Sequence, residues 1–210
     1  MLTKGKREAD FAKCLQLIVE TSQTILDVGT SERFAKNLRC YEPLFDGKNY
    51  IAAGYNPSMN FCKYNCDCHQ DIEEMTFENS SFDAVICLDV LEHVINPFQA
   101  VKQIKRVLRQ GGKILLTVPF LYGYHGKGSS SQSHDSYPDF WRFTHEGLQL
   151  LFNDFQTIEI TPLDGPIEFR LKQLYCTHFL KMPLFRGIVD AIDPRSIGKA
   201  TSGHMLFGIK

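Results

Sequence analysis

The amino-acid sequence predicts an α/β fold with an open, mostly parallel sheet and helices on both faces. Residues 81–117 read as a strand, a polar turn, an amphipathic helix and a second strand. Both strands, 83–88 and 113–118, are apolar nearly throughout, as is usual for parallel strands covered on both faces. A strand–helix–strand unit of this length is a crossover connection, and the ligand of such a sheet lies at the carboxyl ends of its strands.

The helix of this crossover is amphipathic, which is the third observation behind the fold prediction. Its apolar side chains fall on one side: Ala100, Ile104, Val107 and Leu108. We expect the Gly111-Gly112 pair to end this helix, because glycine is favoured just after a helix. Three polar residues follow the first strand of the unit, at the ligand edge: Asp89, Glu92 and His93.

The elements before the crossover follow from apolar spacing. Residues 7–20 carry apolar side chains at helical spacing and predict a leading helix. Residues 24–28 predict the first strand, a helix is expected around 32–38, and residues 50–53 predict the second strand. Residues 60–69 are polar and are expected to be irregular.

The elements after the crossover begin with a loop rich in Gly, Ser and His at 120–138. Residues 144–152 predict a helix with Thr144 as its N-cap. Residues 155–161 and 204–209 predict the last two strands.

The domain organisation is simple. No internal repeat or long linker divides the sequence, so we predict a single domain over residues 1–210. Within it lie an inserted loop at 120–138 and a mostly helical roof segment at 167–192, which Pro183 is expected to interrupt.

Composition sets further bounds. The chain has 210 residues, of which 43% are hydrophobic and 12% aromatic, which suits a folded domain and excludes disorder. The net charge of −1 predicts no general attraction to nucleic acid or acidic membranes. The first residues do not resemble a signal peptide, and no apolar run approaches the ~20 residues that cross a bilayer. Seven cysteines without an export signal favour reduced thiols and a cytoplasmic location.

The crossover also resembles a known family. Its residues run FDAVICLDVLEHV at 82–94 and RVLRQGGKILLTVP at 106–119. This is similar to the region after the first motif of class I S-adenosylmethionine (SAM)-dependent methyltransferases, in the type 11-like subgroup. The resemblance implies a Rossmann-like seven-stranded sheet, mostly parallel, and SAM as the cofactor.

The turn after the first strand, ILDVG at 25–29, is the first predicted cofactor contact. Glycine lets the backbone approach a ligand closely, and a helix amino end offers free N–H groups. By the resemblance, Asp27 and Gly29 lie at or near the methionine part of SAM. Ser31 is small enough to replace one of the family's glycines. The alternative is an ordinary strand-to-helix turn.

Two residues depart from the family pattern. We expect Glu32, at a helix start, to compete with the ligand's carboxylate for the same N–H groups. The alignment of residues 50–57 places Gly54, followed by Tyr55, where the family has an acid that binds both ribose hydroxyls. Asn56 is the nearest polar substitute. Loss of the carboxylate is expected to weaken SAM binding by about 1.5–3 kcal/mol.

The third and fourth strands supply further candidates. Asp71 and Ile72 match the family's pair that meets adenine, although Asp71 could instead cap the following turn. Cys87 and Leu88 match backbone and packing contacts to SAM. His93 is expected at the ligand edge, with capping of the next turn as its alternative.

The substrate side resembles a narrower subgroup that often acts in polysaccharide, sugar or natural-product pathways. Its residues are PFLYGYH at 119–125 and DFWRFT at 139–144. Because the loop between them leaves the carboxyl end of a strand, we expect it to overhang the cleft as a lid. Methyl transfer needs little acid–base help beyond deprotonating a hydroxyl, so His125 and His134 are the candidate catalytic bases. For each, a surface loop residue is the alternative.

The second half of that pattern suggests how the lid is held. Asp139 and Arg142 are expected to form a salt bridge that anchors it. Trp141 is expected to pack in the core, as a lone tryptophan usually does.

Four residues invite a metal hypothesis: Cys62, Cys66, Cys68 and His69. Their spacing fits neither a paired zinc site nor a common iron–sulfur run. We therefore favour reduced thiols in a variable loop and assign no metal ligands to the site, with metal binding as the alternative.

Together these features predict a SAM-dependent methyltransferase acting on a small molecule, such as a sugar, a polysaccharide precursor or a natural-product intermediate. The alternative is a non-catalytic binding protein or partner subunit with a weakened SAM site, favoured by Gly54 and Glu32. A nicotinamide-dependent reductase is disfavoured, because no Gly-x-Gly-x-x-Gly follows the first strand. For the segment 167–192 a substrate roof or a homodimer face is favoured over membrane contact. No nucleic-acid partner is expected.

Overall fold

The computed structural model describes residues 6–35, 38–55, 65–126, 137–174, 183–193 and 200–210. Within these ranges the strands are β1 (Thr24–Val28), β2 (Asn49–Gly54), β3 (Cys68–His69), β4 (Phe82–Leu88), β5 (Leu108–Pro119), β6 (Thr157–Pro162) and β7 (Gly203–Ile209). The helices are α1 (Lys6–Thr21), α2 (Pro97–Val107), α3 (His145–Leu151), α4 (Pro166–Gln173) and α5 (Pro183–Ile192), with 3₁₀ helices at Arg39–Phe45 and Leu91–His93.

The strands form one seven-stranded sheet in the order β3-β2-β1-β4-β5-β7-β6. β1 runs parallel to β2 and to β4, and β4 runs parallel to β5. β7 runs antiparallel to both β5 and β6. From β1 the strand order first runs outward through β2 to β3. The chain then crosses back and adds β4 on the other side of β1, so a topological switch point lies between β1 and β4. The predicted fold class is confirmed.

Two apolar clusters cover the two faces of the sheet. Neighbouring residues of one strand contribute to different clusters, as the period of a strand requires: Leu26 belongs to one and Ile25 to the other. The first cluster includes the buried side of α2 and α3, and the second includes α1 and the first 3₁₀ helix. The core of the fold is therefore a sheet between two helical layers.

Helix α2 begins as the sequence predicts and ends earlier. The Asn96 side chain accepts a hydrogen bond from the Gln99 N–H at 3.1 Å, and Pro97 occupies the first turn. The helix ends at Val107, because Leu108 is already extended and pairs with Phe82 of β4. The Gly111-Gly112 pair therefore lies within β5 and does not end the helix, which corrects the prediction.

The helix predicted around 32–38 is wrong over its described residues. Glu32 instead forms an isolated parallel bridge with Asn65. Phe34 has a φ of 52°, which a right-handed helix does not allow, and its ring stacks on Tyr50 with the centroids 4.3 Å apart. Residues 36–37 lie outside the described ranges, and the next element is the 3₁₀ helix Arg39–Phe45.

The prediction of an irregular segment at 60–69 is also corrected over its described residues, whereas a new helix begins at Pro183, where the sequence predicts an interruption. Cys68 and His69 form the short strand β3, opposite Ala53 and Gly54 of β2, while residues 56–64 lie outside the described ranges. Pro183 begins α5, at the position where proline suits a helix best.

The capping of two other helices is clear. Thr144 accepts a hydrogen bond from the Gly147 N–H at 3.0 Å, so the predicted cap of α3 is confirmed. The Asp193 carboxylate accepts from the N–H groups of Ile167 and Glu168 at 2.9 and 2.8 Å, which joins the end of α5 to the start of α4.

Helix α5 carries an exposed apolar stripe on successive turns, formed by Leu184, Ile188 and Ile192. Across the part of the chain that the structure describes, no helix combines the length and the apolar character that a membrane crossing requires.

Candidate active site

A crevice of about 250 Å³ opens at the carboxyl ends of β1 and β4. Four of the predicted cofactor residues line it: Asp27, Gly29, Ser31 and Leu88. Asp89 lines it as well, with a φ of 54°, and its carboxylate accepts a hydrogen bond from the Thr117 hydroxyl at 2.8 Å. The sequence predicts Asp89 at this edge of the sheet without indicating a role for it.

Gly29 is required by its surroundings. Its φ is 78°, in the left-handed region, and its N–H donates to the Ala53 carbonyl at 2.7 Å. A Cβ at this position would lie 2.5 Å from Cγ2 of Val90. The turn after β1 can therefore pass this close to the end of β4 only as glycine.

Asp27 is a buried carboxylate at the base of the crevice. It accepts a hydrogen bond from the Tyr50 hydroxyl at 2.5 Å. Burial raises the pKa of Asp27 to about 7, although the hydrogen bonds from Tyr50 and Thr30 act in the opposite direction. Asp27 is therefore placed to change its charge near neutral pH.

Gly54, where the family has its ribose-binding acid, lies against Cys66 and the Thr30 backbone. A Cβ here would lie 2.9 Å from the Cys66 sulfur and 3.0 Å from the Thr30 carbonyl oxygen. The glycine therefore fits a local close approach, and a carboxylate would not fit without displacing Cys66. Tyr55 is exposed beside it, and Asn56 lies outside the described residues.

Asp67 and Arg33 connect the turn after β1 to strand β2, next to Gly54. The Asp67 carboxylate accepts from the Ala52 N–H at 2.8 Å and forms an ion pair with Arg33. The Arg33 guanidinium also donates to the Tyr50 carbonyl at 3.2 Å. Glu32, in turn, forms an exposed ion pair with Arg39 at 2.5 Å and begins no helix. The expected competition of Glu32 at a helix start is therefore wrong in its premise.

The remaining predicted cofactor residues lie around the crevice. The Asp71 carboxylate accepts from the Glu73 N–H at 2.8 Å, so its capping role is present. Ile72 is buried in the core, and Cys87 is fully buried. Burial, followed by the charges of Glu92 and Asp27, holds the pKa of the Cys87 thiol well above its usual value. The contacts of these residues with a cofactor stay predictions.

A second group of titratable side chains follows the end of β4. Glu92 is 1% exposed, and its Oε1 lies 3.6 Å from Nε2 of His125 and 3.8 Å from Nε2 of His93. Burial raises the pKa of Glu92. The interaction of its ring with the Glu92 carboxylate raises the pKa of His125. The sequence predicted both histidines as site residues but left Glu92 without a chemical role.

The two ends of the inserted loop are fastened together by Arg142. Its guanidinium binds the Asp139 carboxylate with two hydrogen bonds of 2.5 and 2.7 Å, so the predicted salt bridge is present. It also donates to the carbonyls of Tyr122 and Gly123 at 3.0 and 3.1 Å. The contacts with Arg142 lower the pKa of Asp139 to about 2. The Asp139 carboxylate also accepts a hydrogen bond from the backbone N–H of His125 at 2.9 Å, which positions that histidine.

Other loop residues correct or extend the predictions. Trp141 is 41% exposed, so it is not a core residue, and its indole N–H donates to the Val94 carbonyl at 2.8 Å. The Tyr137 hydroxyl donates to the Tyr55 carbonyl at 3.2 Å, and its ring lies 6.1 Å from that of His93. The loop therefore reaches from the end of β4 to the end of β2. No sequence motif pointed to Tyr137, and His134 lies outside the described residues.

The cysteine cluster is only partly described. Cys62 lies outside the described ranges, and Cys66 and Cys68 are free thiols. Burial raises the pKa of Cys66 to about 11 and that of Cys68 above its usual value. At neutral pH without a metal both groups are therefore neutral thiols, and the absence of a metal at this cluster stays a prediction.

The architecture and the crevice define the class of this domain. A seven-stranded sheet with one antiparallel strand, a glycine turn after β1 and a crevice at the β1–β4 switch point are the class I methyltransferase arrangement. Residues 26–116 match the family model described as a methyltransferase domain. This match covers a little under half of the chain, and the predicted resemblance to the SAM-dependent methyltransferase family is confirmed.

Similar proteins agree with this assignment. The chain is 30% identical over 113 residues to a ubiquinone biosynthesis O-methyltransferase of Coxiella burnetii, covering 49% of this chain and 46% of that protein. It is 41% identical over 49 residues to a ubiquinone biosynthesis O-methyltransferase of Xanthomonas oryzae, covering 23% of this chain and 20% of that protein. The chain thus spans less than half the length of the curated relatives it matches.

A solved structure has a similar fold over nearly the whole chain. A SAM-dependent methyltransferase from Archaeoglobus fulgidus is similar with a TM-score of 0.58, covering 98% of this chain and 95% of that one. The two sequences are 14% identical, so this likeness concerns the fold.

Proposed function

We propose that this protein is a SAM-dependent methyltransferase that methylates an oxygen of a small molecule. One observation carries the proposal: the crevice lined by Asp27, Gly29 and Asp89 and the Glu92–His125 pair both lie at the carboxyl end of β4. Cofactor and acceptor groups are thus placed next to each other. The ubiquinone O-methyltransferases among the relatives support an oxygen acceptor.

The crevice suits the methionine part of SAM. The backbone turn at Gly29 leaves no room for a side chain, and the buried Asp27 and the exposed Asp89 supply negative charge beside it. When bound, SAM supplies an electrophilic methyl group and a positive charge that these carboxylates favour. Gly54 offers no carboxylate for the ribose, so we expect weaker binding than in family members that have one.

The acceptor side suits a hydroxyl. We assign proton acceptance to Nε2 of His125, because its other ring nitrogen lies 3.3 Å from the Gly123 carbonyl, which can only accept. The buried Glu92 stabilises the charged ring that results. Asp139 fixes the backbone of the same histidine.

The exposed stripe of α5 supports the expectation of a homodimer. Sedimentation velocity of the wild type and of a Leu184→Gln/Ile188→Gln double variant tests it. A monomeric wild type would remove this expectation without affecting the proposed reaction.

A non-catalytic binding protein is the second candidate, and the packing of Cys66 and Thr30 against Gly54 favours it. Calorimetry with SAM and S-adenosylhomocysteine, followed by transfer of labelled methyl groups to a panel of phenols and sugars, separates the two. Binding with transfer supports the enzyme, and binding without transfer to any acceptor supports the second candidate. No binding at millimolar SAM contradicts the enzyme and leaves the non-catalytic binding protein or partner subunit.

Variants of the wild-type protein sharpen this test. His125→Ala should abolish most transfer while SAM binding is retained, because His125 lies on the acceptor side. His69→Ala, an exposed histidine on β3, is the matched control and should leave both unchanged. Equal transfer by the His125→Ala variant would remove His125 from the reaction.

A further inference from the structure

The strongest unexplained feature is the meeting of Glu92, His93 and His125. One ligand atom from each lies within 4.8 Å of the others. The Nε2 atoms of both histidines face the same carboxylate oxygen, at 3.8 and 3.6 Å. The three residues come from two separate segments, the end of β4 and the loop after β5.

The hydrogen bonds of the two rings fix which nitrogens are bare. Nδ1 of His93 lies 2.6 Å from the Pro138 carbonyl oxygen, so that nitrogen must carry the ring proton. Nδ1 of His125 lies 3.3 Å from the Gly123 carbonyl oxygen and 3.4 Å from the Asp139 carboxylate, which are again acceptors. In the neutral rings both Nε2 atoms therefore direct lone pairs toward Glu92. A backbone carbonyl that holds Nδ1–H is the usual second partner of a metal-binding histidine.

The buried carboxylate gives an independent sign of a missing partner. Oε2 of Glu92 has no hydrogen-bond partner among the described residues, and the residue is 1% exposed. A buried, unpaired carboxylate oxygen is costly. A cation between Glu92 and the two Nε2 atoms would meet Oε1, which both rings face, and would neutralise the carboxylate whose Oε2 has no partner among the described residues.

We propose that Glu92, His93 and His125 form a binding site for a divalent transition metal of the zinc class. Two imidazoles and one carboxylate are a common donor set for zinc, and they leave a fourth position open. A tetrahedral zinc with bonds of about 2.0–2.1 Å separates its ligand atoms by about 3.3 Å. The observed separations of 3.6 and 3.8 Å are close to that value.

The consequence for the reaction rests on the proposed function. An acceptor hydroxyl in the open position would become more acidic and lose its proton to solvent. In the metal-loaded protein Nε2 of His125 binds the metal, so this nitrogen would no longer accept the proton of the acceptor hydroxyl as it does in the metal-free protein. Metal binding itself requires neither SAM nor an acceptor, so the two proposals can fail separately.

The test is a titration of the whole, chelator-stripped protein with Zn²⁺, and with Co²⁺ as a coloured probe. We expect one bound zinc per chain and the visible absorption of tetrahedral Co²⁺ without a thiolate charge-transfer band. His93→Ala and His125→Ala should each weaken zinc binding by at least about a hundredfold, since even outer-shell partners are worth 10–100-fold. His69→Ala is the matched control and should bind as the wild type does.

Three results would overturn the proposal. The first is a wild type that binds no zinc at micromolar concentration. The second is unchanged binding in the His93→Ala/His125→Ala double variant. The third is loss of binding in His69→Ala with thiolate bands in the Co²⁺ spectrum, which would place the metal at the cysteine cluster. Thermal unfolding of each variant without metal shows that it is folded, and zinc should raise the melting temperature of only those proteins that bind it.

Discussion

Replacement of Asp27 by Asn should change how the free energy of unfolding depends on pH. In the fold the pKa of Asp27 is raised from 3.8 to about 7 by burial. The native state therefore keeps a proton that the unfolded chain releases between these two values. Native stability is highest when both states hold the proton, and it falls as the pH rises toward 7.

The magnitude follows from the separation of the two pKa values. Between 3.8 and about 7 it corresponds to on the order of 4 kcal/mol. Within this window the wild type should lose about 1.4 kcal/mol per pH unit relative to Asp27→Asn. The asparagine oxygen can still accept the Tyr50 hydroxyl, so the variant removes the charge while it keeps that acceptor.

Urea unfolding at pH 5, 6, 7 and 8 measures the difference. From pH 5 to pH 7 the wild type should lose about 3 kcal/mol more than the variant, and the two curves should run parallel at higher pH. Asp46→Asn, at an exposed carboxylate, is the control and should follow the wild type. Parallel curves for wild type and Asp27→Asn across the whole range would refute the burial argument.

Three further predictions concern packing and the inserted loop. Gly29→Ala should lower the free energy of unfolding in urea by about 2–4 kcal/mol, because the new Cβ meets Val90. Gly47→Ala is the control: its φ of 75° is similar but the space around it is open, so the loss should be only about 1–2 kcal/mol. Equal losses would show that the backbone angle alone matters. Arg142→Lys should lower methyl transfer more than SAM binding, because lysine cannot make the two-pronged contact with Asp139; unchanged transfer would contradict the anchoring role. Asp193→Ala should lower stability by about 1–2 kcal/mol by uncapping α4, and a thermal melt identical to the wild type would contradict it.

The sheet could be predicted from the sequence because its signals are local. The strands around α2 are apolar over 84–88 and nearly so over 114–118, and Thr144 and Asn96 are caps next to the helices that they begin. The apolar spacing that predicted a helix around 32–38 is a local signal too, but that helix does not form. Phe34 instead stacks on Tyr50, which is a tertiary contact, and its backbone is left-handed. Apolar periodicity does not report such a contact.

The site shows the same division. Asp27 and Gly29 lie in a recognisable turn, so the resemblance found them. Gly54 read as a lost acid, whereas the structure shows Cys66 packed against it from a distant segment. Glu92 gained its importance from burial between two histidines, one of which is 33 positions away along the chain. Separation in sequence hides contacts of this kind.

The clamp at Arg142 has a consequence for how acceptor choice could diverge among related proteins. Its guanidinium holds Tyr122 and Gly123 on one side and Asp139 on the other, so both stems of the insertion stay fixed to the scaffold. Residues 127–136 lie between these two stems in the sequence, so substitutions among them change none of the residues that the clamp holds. Exchanging this segment between homologues should therefore vary the insertion while the anchoring residues of the host are kept.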